Sequence, residues 1–243
     1  MAAVDVDGLV NARDLGGRLR RDGSRTPDGV FFRSENLDRV SPAGWQRLHD
    51  LGIRTILDLR QPGERESDTG ARPAWAHMIE VDLDGREHSA FWSRYWDNGL
   101  VGTALYFTPH LTELPHRMAA VLDGIAGAPE GGVLVHCMGG RDRTGLVSLV
   151  LLAAAEVVED EIVDDYLETV RRGALRARAL GRDDVEPRLE ELCRRHGTTT
   201  EGAFRAAVAA FDFAEWSSLA GLSDGTARAI GTWRGRLAER TPG

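Results

Sequence analysis

In VLVHCMGGRDRTGLVSLVLL, residues 133–152, Cys137 is followed by five residues and then by Arg143 and Thr144. The apolar run before the cysteine reads as a buried strand, and the longer run after it as a buried helix. A thiol is thereby set on a tight turn that enters a helix. Such a turn turns several backbone N–H groups and the positive end of the helix dipole toward an anion. Gly139 and Gly140 permit positive φ and close backbone approach. Arg143 offers a planar fork that grips two oxygens of a tetrahedral anion at once, where a lysine would offer a point charge. Helix N-termini and neighbouring cations bring thiols down to roughly 3.5–7.5, so the nucleophile expected here is a thiolate. Attack on phosphorus would form a phosphocysteine and split one difficult hydrolysis into two steps. Thr144 stands where its hydroxyl can steady the departing sulfur.

HCMGGRDRTG in this strand–turn–helix setting resembles the phosphate loop of the cysteine-dependent tyrosine phosphatase superfamily. It is most similar to a bacterial branch whose loop reads HCxxGKDRTG. The likeness extends along most of the chain. NARDLGG at 11–17 is similar to that branch's NFRDLGG, with Ala12 in place of the aromatic. SENLDRVSPAGWQRLHDLGIRTILDLR at 34–60 is similar to its opening strand–helix–strand, and DDYLETV and AGLSDGTARAIGTWRGRL also fit. The aromatic segment and residues 172–200 do not match. Inside the loop Arg141 replaces a lysine, keeping the charge on a bulkier fork.

The resemblance implies an α/β fold with a central, mostly parallel sheet flanked by helices. It implies removal of phosphate from tyrosine, from serine or threonine, or from phosphoinositides or small molecules. The phosphate would lie on Met138, Gly139, Gly140, Arg141, Asp142, Arg143 and Thr144. No metal or organic cofactor is implied, because the loop supplies the charge that two-metal phosphatases take from their ions. The reaction also needs an acid for the leaving oxygen and then a base for water. The bacterial branch carries an aspartate within the loop, and Asp142 stands there. Other members place it after an earlier strand, where Asp84 stands with Asp82 two residues before. Asp142 is the expected acid and Asp84 the alternative; a loop-bracing carboxylate at a helix start is the plainer role for Asp142.

Other residues have two readings each. His136 is expected to orient the loop rather than transfer protons. Arg141 is expected to bind phosphate, or else to be a solvated loop charge. Asp14, Asp58 and Arg60 are expected to form ion pairs that fix loops. The acidic run EDEIVDDYLE, 159–168, reads as a solvated helix face. Cys193 and His196 supply only two ligands at helical spacing, too few for a zinc site. Two further functional classes remain: arsenate reduction of the phosphatase type, for which Cys193 is the other thiol, and a non-catalytic phosphate reader, which would typically lack the cysteine or the arginine.

For Cys137 to work, strands and helices must set the turn. RTILDL, 54–59, reads as a buried parallel strand, with others at 78–83 and 132–136. Ser41 and Pro42 start a helix as N-cap and first residue, and Gly52 ends it. Residues 9–17 read as an irregular loop, GRLRRDG and GVFFRS as a short hairpin, and 61–73 as turns. From 84 to 109 there is no clear period, but Phe91, Trp92, Tyr95, Trp96, Tyr106 and Phe107 fall there, as a lid, a pocket wall or core. Residues 111–128 read as one amphipathic helix with an irregularity at Pro115, 141–158 as an apolar helix, and 159–240 as helices. The expectation is one phosphatase domain over 1–243, with a catalytic α/β core over 1–171 and a helical extension over 172–243.

The bulk composition fits. The chain has 243 residues, 42% hydrophobic and 28% charged, as an ordinary globular protein does. No apolar run is long enough to span a membrane. The start MAAVDVDGLV has no basic n-region or apolar h-region, so a cytoplasmic location is expected, with leaderless export as the other route. Two cysteines fit a reducing compartment. A net charge of −8 argues against nucleic acid, so the expected partners are phosphorylated proteins, peptides, lipids or small molecules.

Overall fold

The structure is a computed structural model that describes residues 4–66 and 70–237. Residues 67–69 of the 61–73 turn segment and 238–240 of the helical segment lie outside the described residues. Five strands form one sheet: β1 (Arg13–Asp14), β2 (Phe31–Ser34), β3 (Ile53–Asp58), β4 (His77–Glu80) and β5 (Gly132–His136), in the order β1-β2-β5-β3-β4. Before β5 lie α1 (Pro42–Asp50), α2 (Pro62–Arg65), α3 (Ser89–Trp92), a 3-10 turn (Ala104–Tyr106), α4 (Phe107–Glu113) and α5 (Pro115–Ala126). After it come α6 (Asp142–Ala154), α7 (Glu159–Arg171), α8 (Gly173–Leu180), α9 (Glu186–Arg195), α10 (Thr200–Ala209), α11 (Phe213–Leu219) and α12 (Asp224–Gly231).

β5 is parallel to β2 on one side and to β3 on the other, and β3 is parallel to β4. Among the described strands only β1 runs antiparallel. Ser34, His136 and Asp58 stand in register at the carboxyl ends of β2, β5 and β3. The loops that leave these strands therefore open on one edge, where ligands bind in open α/β sheets.

Alternation along the strands builds two layers of core. Phe31, Leu57, Val133 and Val135 face one side and pack with Val121, Leu122, Leu149 and Tyr166. Phe32, Ile56 and Leu134 face the other and pack with Trp45 and Leu48 of α1. Helix α1 begins as its sequence predicts, with Ser41 Oγ accepting from Gly44 N at 3.1 Å and Pro42 first in the helix. The first layer continues into Phe204, Trp216, Ile230 and Trp233. Trp233 is fully buried, meets Phe31 edge-on with centroids 4.6 Å apart, and donates to the Pro27 carbonyl.

Several expectations need correction. GRLRRDG and GVFFRS do not form the two arms of a hairpin; Leu19 and Arg25 share a single bridge, and β2 pairs with β1 and β5 instead. Phe31 and Phe32 are both buried, one on each face, which suits a core strand rather than a surface arm. The helix at 111–128 is two helices that break at Leu114, because Pro115 has no N–H and starts a new helix at its favoured first position. The strand at 78–83 stops at Glu80, and the Asp82 carboxylate then turns the chain by accepting from Asp84 N and Gly85 N. The aromatic segment contributes core: Phe91, Trp92, Tyr106 and Phe107 are buried, whereas Trp96 is exposed.

Candidate active site

Between the end of β5 at His136 and the start of α6 at Asp142, the chain turns through Cys137, Met138, Gly139, Gly140 and Arg141. The carbonyls of this turn are held outward. Met138 O accepts from Asn36 N at 3.1 Å, and Gly139 O from Arg176 Nη1 at 2.6 Å. Gly140 O accepts from Arg33 Nη2 at 2.6 Å and Asn11 Nδ2 at 3.4 Å. In a planar trans peptide the C=O and the following N–H point opposite ways, so each outward carbonyl aims the next N–H inward. Among the described residues, the backbone N–H groups of 138–144 have no acceptor. Gly140 has φ 65°, and a Cβ there would lie 2.6 Å from Glu35 N and Ser34 O. The loop thus rests directly on the end of β2, and only glycine fits.

Cys137 is buried and unbridged at the floor of this nest. Thr144 Oγ1 is buried without a hydrogen-bond partner among the described residues, leaving its proton free for an added acceptor. His136 is fully buried, with Nδ1 3.3 Å from Cys137 O and Nε2 3.8 Å from Asp58. Burial lowers its pKa to about 4 against the pull of Asp58, so it packs as a neutral brace. Asp58 in turn grips Arg60 at 2.7 Å, and Asp14 accepts from Gly16 N and Gly29 N.

Arg143 meets Glu64 fork to fork, with Nη2 2.7 Å from Oε1 and Nη1 on Oε2. Its Nη1 also lies 3.2 Å from Asp84 Oδ2. Burial alone would lower the Arg143 pKa, but Glu64, Asp84 and Cys137 together raise it. Glu64 is aimed by its own helix start, since Gln61 N donates to Oε2 at 2.9 Å. Gln61 Nε2 donates to Asp84 Oδ2 at 2.6 Å, and Trp92 Nε1 to Asp84 O at 2.7 Å. Burial pushes the Asp84 carboxyl upward, and Arg143 and Gln61 pull against that without reversing it. Asp142 is more open, with its side chain 29% exposed and Oδ1 accepting from Arg141 at 3.0 Å. The Tyr106 phenol feels the charges of Asp142, Asp84, Arg143 and Cys137; burial first, then the two carboxylates, raise its pKa well above the ordinary value.

Two charged residues lie elsewhere than expected. The Arg141 guanidinium is buried and turned away from the turn's interior: Nε bonds both oxygens of Glu186 at 3.0 Å, and Nη1 bonds Gly102 O. Its face lies 5.3 Å from the Tyr166 ring centroid. An arginine's length lets the side chain leave a loop that a shorter residue would have to line. Asp165, read as part of a solvated face, is 1% exposed and serves Arg13, Arg33 and Arg18 at once. Burial would raise its pKa, but those three cations hold it well below the usual carboxylate range. Because Arg33 also holds Gly140 O, Asp165 is one bond removed from the loop. Sequence reading missed Glu64, Gln61, Glu186 and Arg176, and had Tyr106 only as one aromatic of a lid, pocket wall or core. Only Glu64 carried a signal, the capping pattern Gln61-Pro62-Gly63-Glu64 directly after Arg60.

A model of the tyrosine phosphatase family matches residues 4–231. Three named relatives align with the chain. One, "Putative tyrosine-protein phosphatase" of Cupriavidus necator, is 33% identical over 174 residues, which cover 69% of this chain and 63% of that protein. The triple specificity protein phosphatase PtpB of Mycobacterium tuberculosis is 28% identical over 201 residues, 70% of each chain. A tyrosine-protein phosphatase of Nostoc commune is 30% identical over 145 residues, 58% of this chain and 48% of the relative. The chain thus spans less than two thirds of the first and third.

Proposed function

Because the chain belongs to the tyrosine phosphatase family, we propose that it hydrolyses phosphomonoesters through a phosphocysteine at Cys137. The observation that carries this reading is the run of N–H groups over 138–144, without acceptors among the described residues, curled around one cysteine with Arg143 beside it. The thiolate attacks phosphorus, the P–O bond to the leaving group breaks, and P–S forms. The N–H groups and the Arg143 fork bind the equatorial oxygens, where charge develops. Water then attacks phosphorus, P–S breaks, and Thr144 Oγ1 donates to the departing sulfur. The relatives' names support phosphotyrosine on proteins as the first substrate class, with broader specificity as in the mycobacterial relative.

Asp142 serves as the proton donor in this reading, because its side chain is partly open and its Oδ2 has no partner among the described residues, while Asp84 is held by Gln61 and Arg143. The raised Asp84 pKa favours a second reading. A phosphate dianion on Arg143 would weaken that cation's hold on Asp84 and add a like charge beside it, and both raise the pKa further. Phosphate release from para-nitrophenyl phosphate, unaffected by EDTA, inhibited by vanadate and abolished in Cys137→Ser, tests the proposal. Full activity in Cys137→Ser would overturn it.

A further inference from the structure

The helices that follow α7 bring one carboxylate to bear on the loop from two directions. Glu186 opens α9 and is set there by Asp184, whose Oδ1 accepts from Glu186 N at 3.1 Å. Glu186 Oε1 accepts from Arg176 Nη2 at 2.9 Å, and both its oxygens accept from Arg141 Nε at 3.0 Å. The Arg141 side chain is 3% exposed and those of Arg176 and Glu186 are 9% exposed. Space for the carboxylate exists because Gly173 has no side chain; a Cβ there would sit 2.4 Å from Glu186 Cγ. The other end of Arg176 holds the Gly139 carbonyl, and Arg141 is itself the residue before α6.

We infer that Glu186 is a positioning residue of the phosphate loop, fixing Arg176 on the Gly139 carbonyl and keeping the Arg141 charge out of the anion site. This rests on the phosphatase reading. The two tasks have opposite consequences for binding and turnover. Holding Gly139 O outward aims the Gly140 N–H at the transition-state oxyanion, and so serves kcat. Sequestering Arg141 keeps its guanidinium from joining Arg143 on the anion, so that the phosphate product is not held too tightly. Glu186 is shared by two buried arginines, while Asp142 gives Arg141 a second carboxylate, so losing Glu186 removes the carboxylate that Arg176 bonds and leaves that buried cation uncompensated.

The test is the variant Glu186→Gln, with para-nitrophenyl phosphate as substrate and inorganic phosphate as competitive inhibitor. Wild-type turnover is measured first, since its absence would refute the phosphatase reading itself. In Glu186→Gln, kcat should fall at least roughly tenfold, less than the roughly 10²–10³-fold of deleting an oxyanion donor. The inhibition constant for phosphate should fall too, by about tenfold, the scale of one added charge-assisted hydrogen bond. The double variant Glu186→Gln with Arg141→Met should lose the tighter phosphate binding. A loop that was merely loosened would bind phosphate more weakly, and that result, or two unchanged constants, overturns the inference. If Glu186→Gln does not fold by circular dichroism, Arg176→Met decides. It leaves the Arg141–Glu186 pair intact, so kcat should fall without tighter phosphate binding, and an unchanged kcat overturns the inference.

Discussion

Arg143 and Glu64 share two hydrogen bonds across the mouth of the loop, one of them 2.7 Å from Nη2 to Oε1. The guanidinium expected to grip phosphate is therefore already oriented before any phosphate arrives. Each terminal nitrogen gives Glu64 one proton, and an arginine has five, so donors remain for an equatorial oxygen pair. Glu64→Gln keeps the shape but weakens the hold. We expect kcat/KM for para-nitrophenyl phosphate to fall at least roughly tenfold, since charged hydrogen bonds contribute about 1.5–3 kcal/mol. A variant within twofold of wild type would show that Arg143 needs no outside support.

Arg143→Lys should nearly abolish turnover while leaving the fold intact. Lysine is a comparable helix former, but it cannot reproduce two parallel bonds to one anion. Half-maximal activity in a folded variant would mean that Arg143 does not touch the reacting phosphate.

The identity of the proton donor is read from leaving groups. General acid catalysis is worth about 10²–10⁴-fold, and most where the leaving oxygen is basic. Asp142→Asn should slow phosphotyrosine or alkyl phosphate hydrolysis far more than that of para-nitrophenyl phosphate, and Asp84→Asn should show a smaller difference. If the dependence appears in Asp84→Asn alone, the acid is the buried carboxyl beside Gln61. Equal loss on every substrate in Asp142→Asn would make that residue a loop brace.

Acid should destabilise the fold before the carboxylates titrate. His136 and His110 are both buried, and burial lowers each to about 4. Asp58 opposes and Arg60 assists this at His136, while the bond to Leu83 O opposes and His116 and His88 assist it at His110. Unfolded, each returns to about 6.5. The unfolded chain then binds more protons, so stability is complete above about pH 6.5 and lost as pH falls toward 4. At about 1.36 kcal/mol per unit, each contributes a loss on the order of 3 kcal/mol. Asp14 and Asp84, raised by burial, act with the opposite sign only as pH nears the carboxylate range. Urea unfolding at about pH 7 and about pH 5 measures this. Equal stability at the two values would refute it.

What could be read from sequence was what lies close together in it. Strand, cysteine, glycines, Arg143 and helix occupy twenty consecutive residues, so one pattern places them all. The donors that shape the loop come from Asn11, Arg33 and Arg176, and two of its carboxylates from Asp165 and Glu186; nothing in a linear pattern announces those meetings, whereas Asp84 was legible as an alternative acid and Glu64 as a helix-start residue. Arg141 shows the limit most plainly. Its position in the turn was legible, but the direction of its side chain depends on Glu186, forty-five residues on. Strand β1 has only two residues and no period to detect.

The edge-on contact of Phe31 with Trp233 has a meaning for synthesis. The ribosome releases Phe31 roughly 200 residues before Trp233, a delay of about 10–40 s at 5–20 residues per second. During that interval Phe31 lacks its edge-on aromatic neighbour, and β5 itself arrives only at residue 132. The sheet cannot be assembled in its native order until β5 has emerged, and Trp233 joins roughly a hundred residues later still. A messenger cut short between residues 154 and 233 yields a chain whose phosphate loop is fully encoded but whose core lacks Trp233.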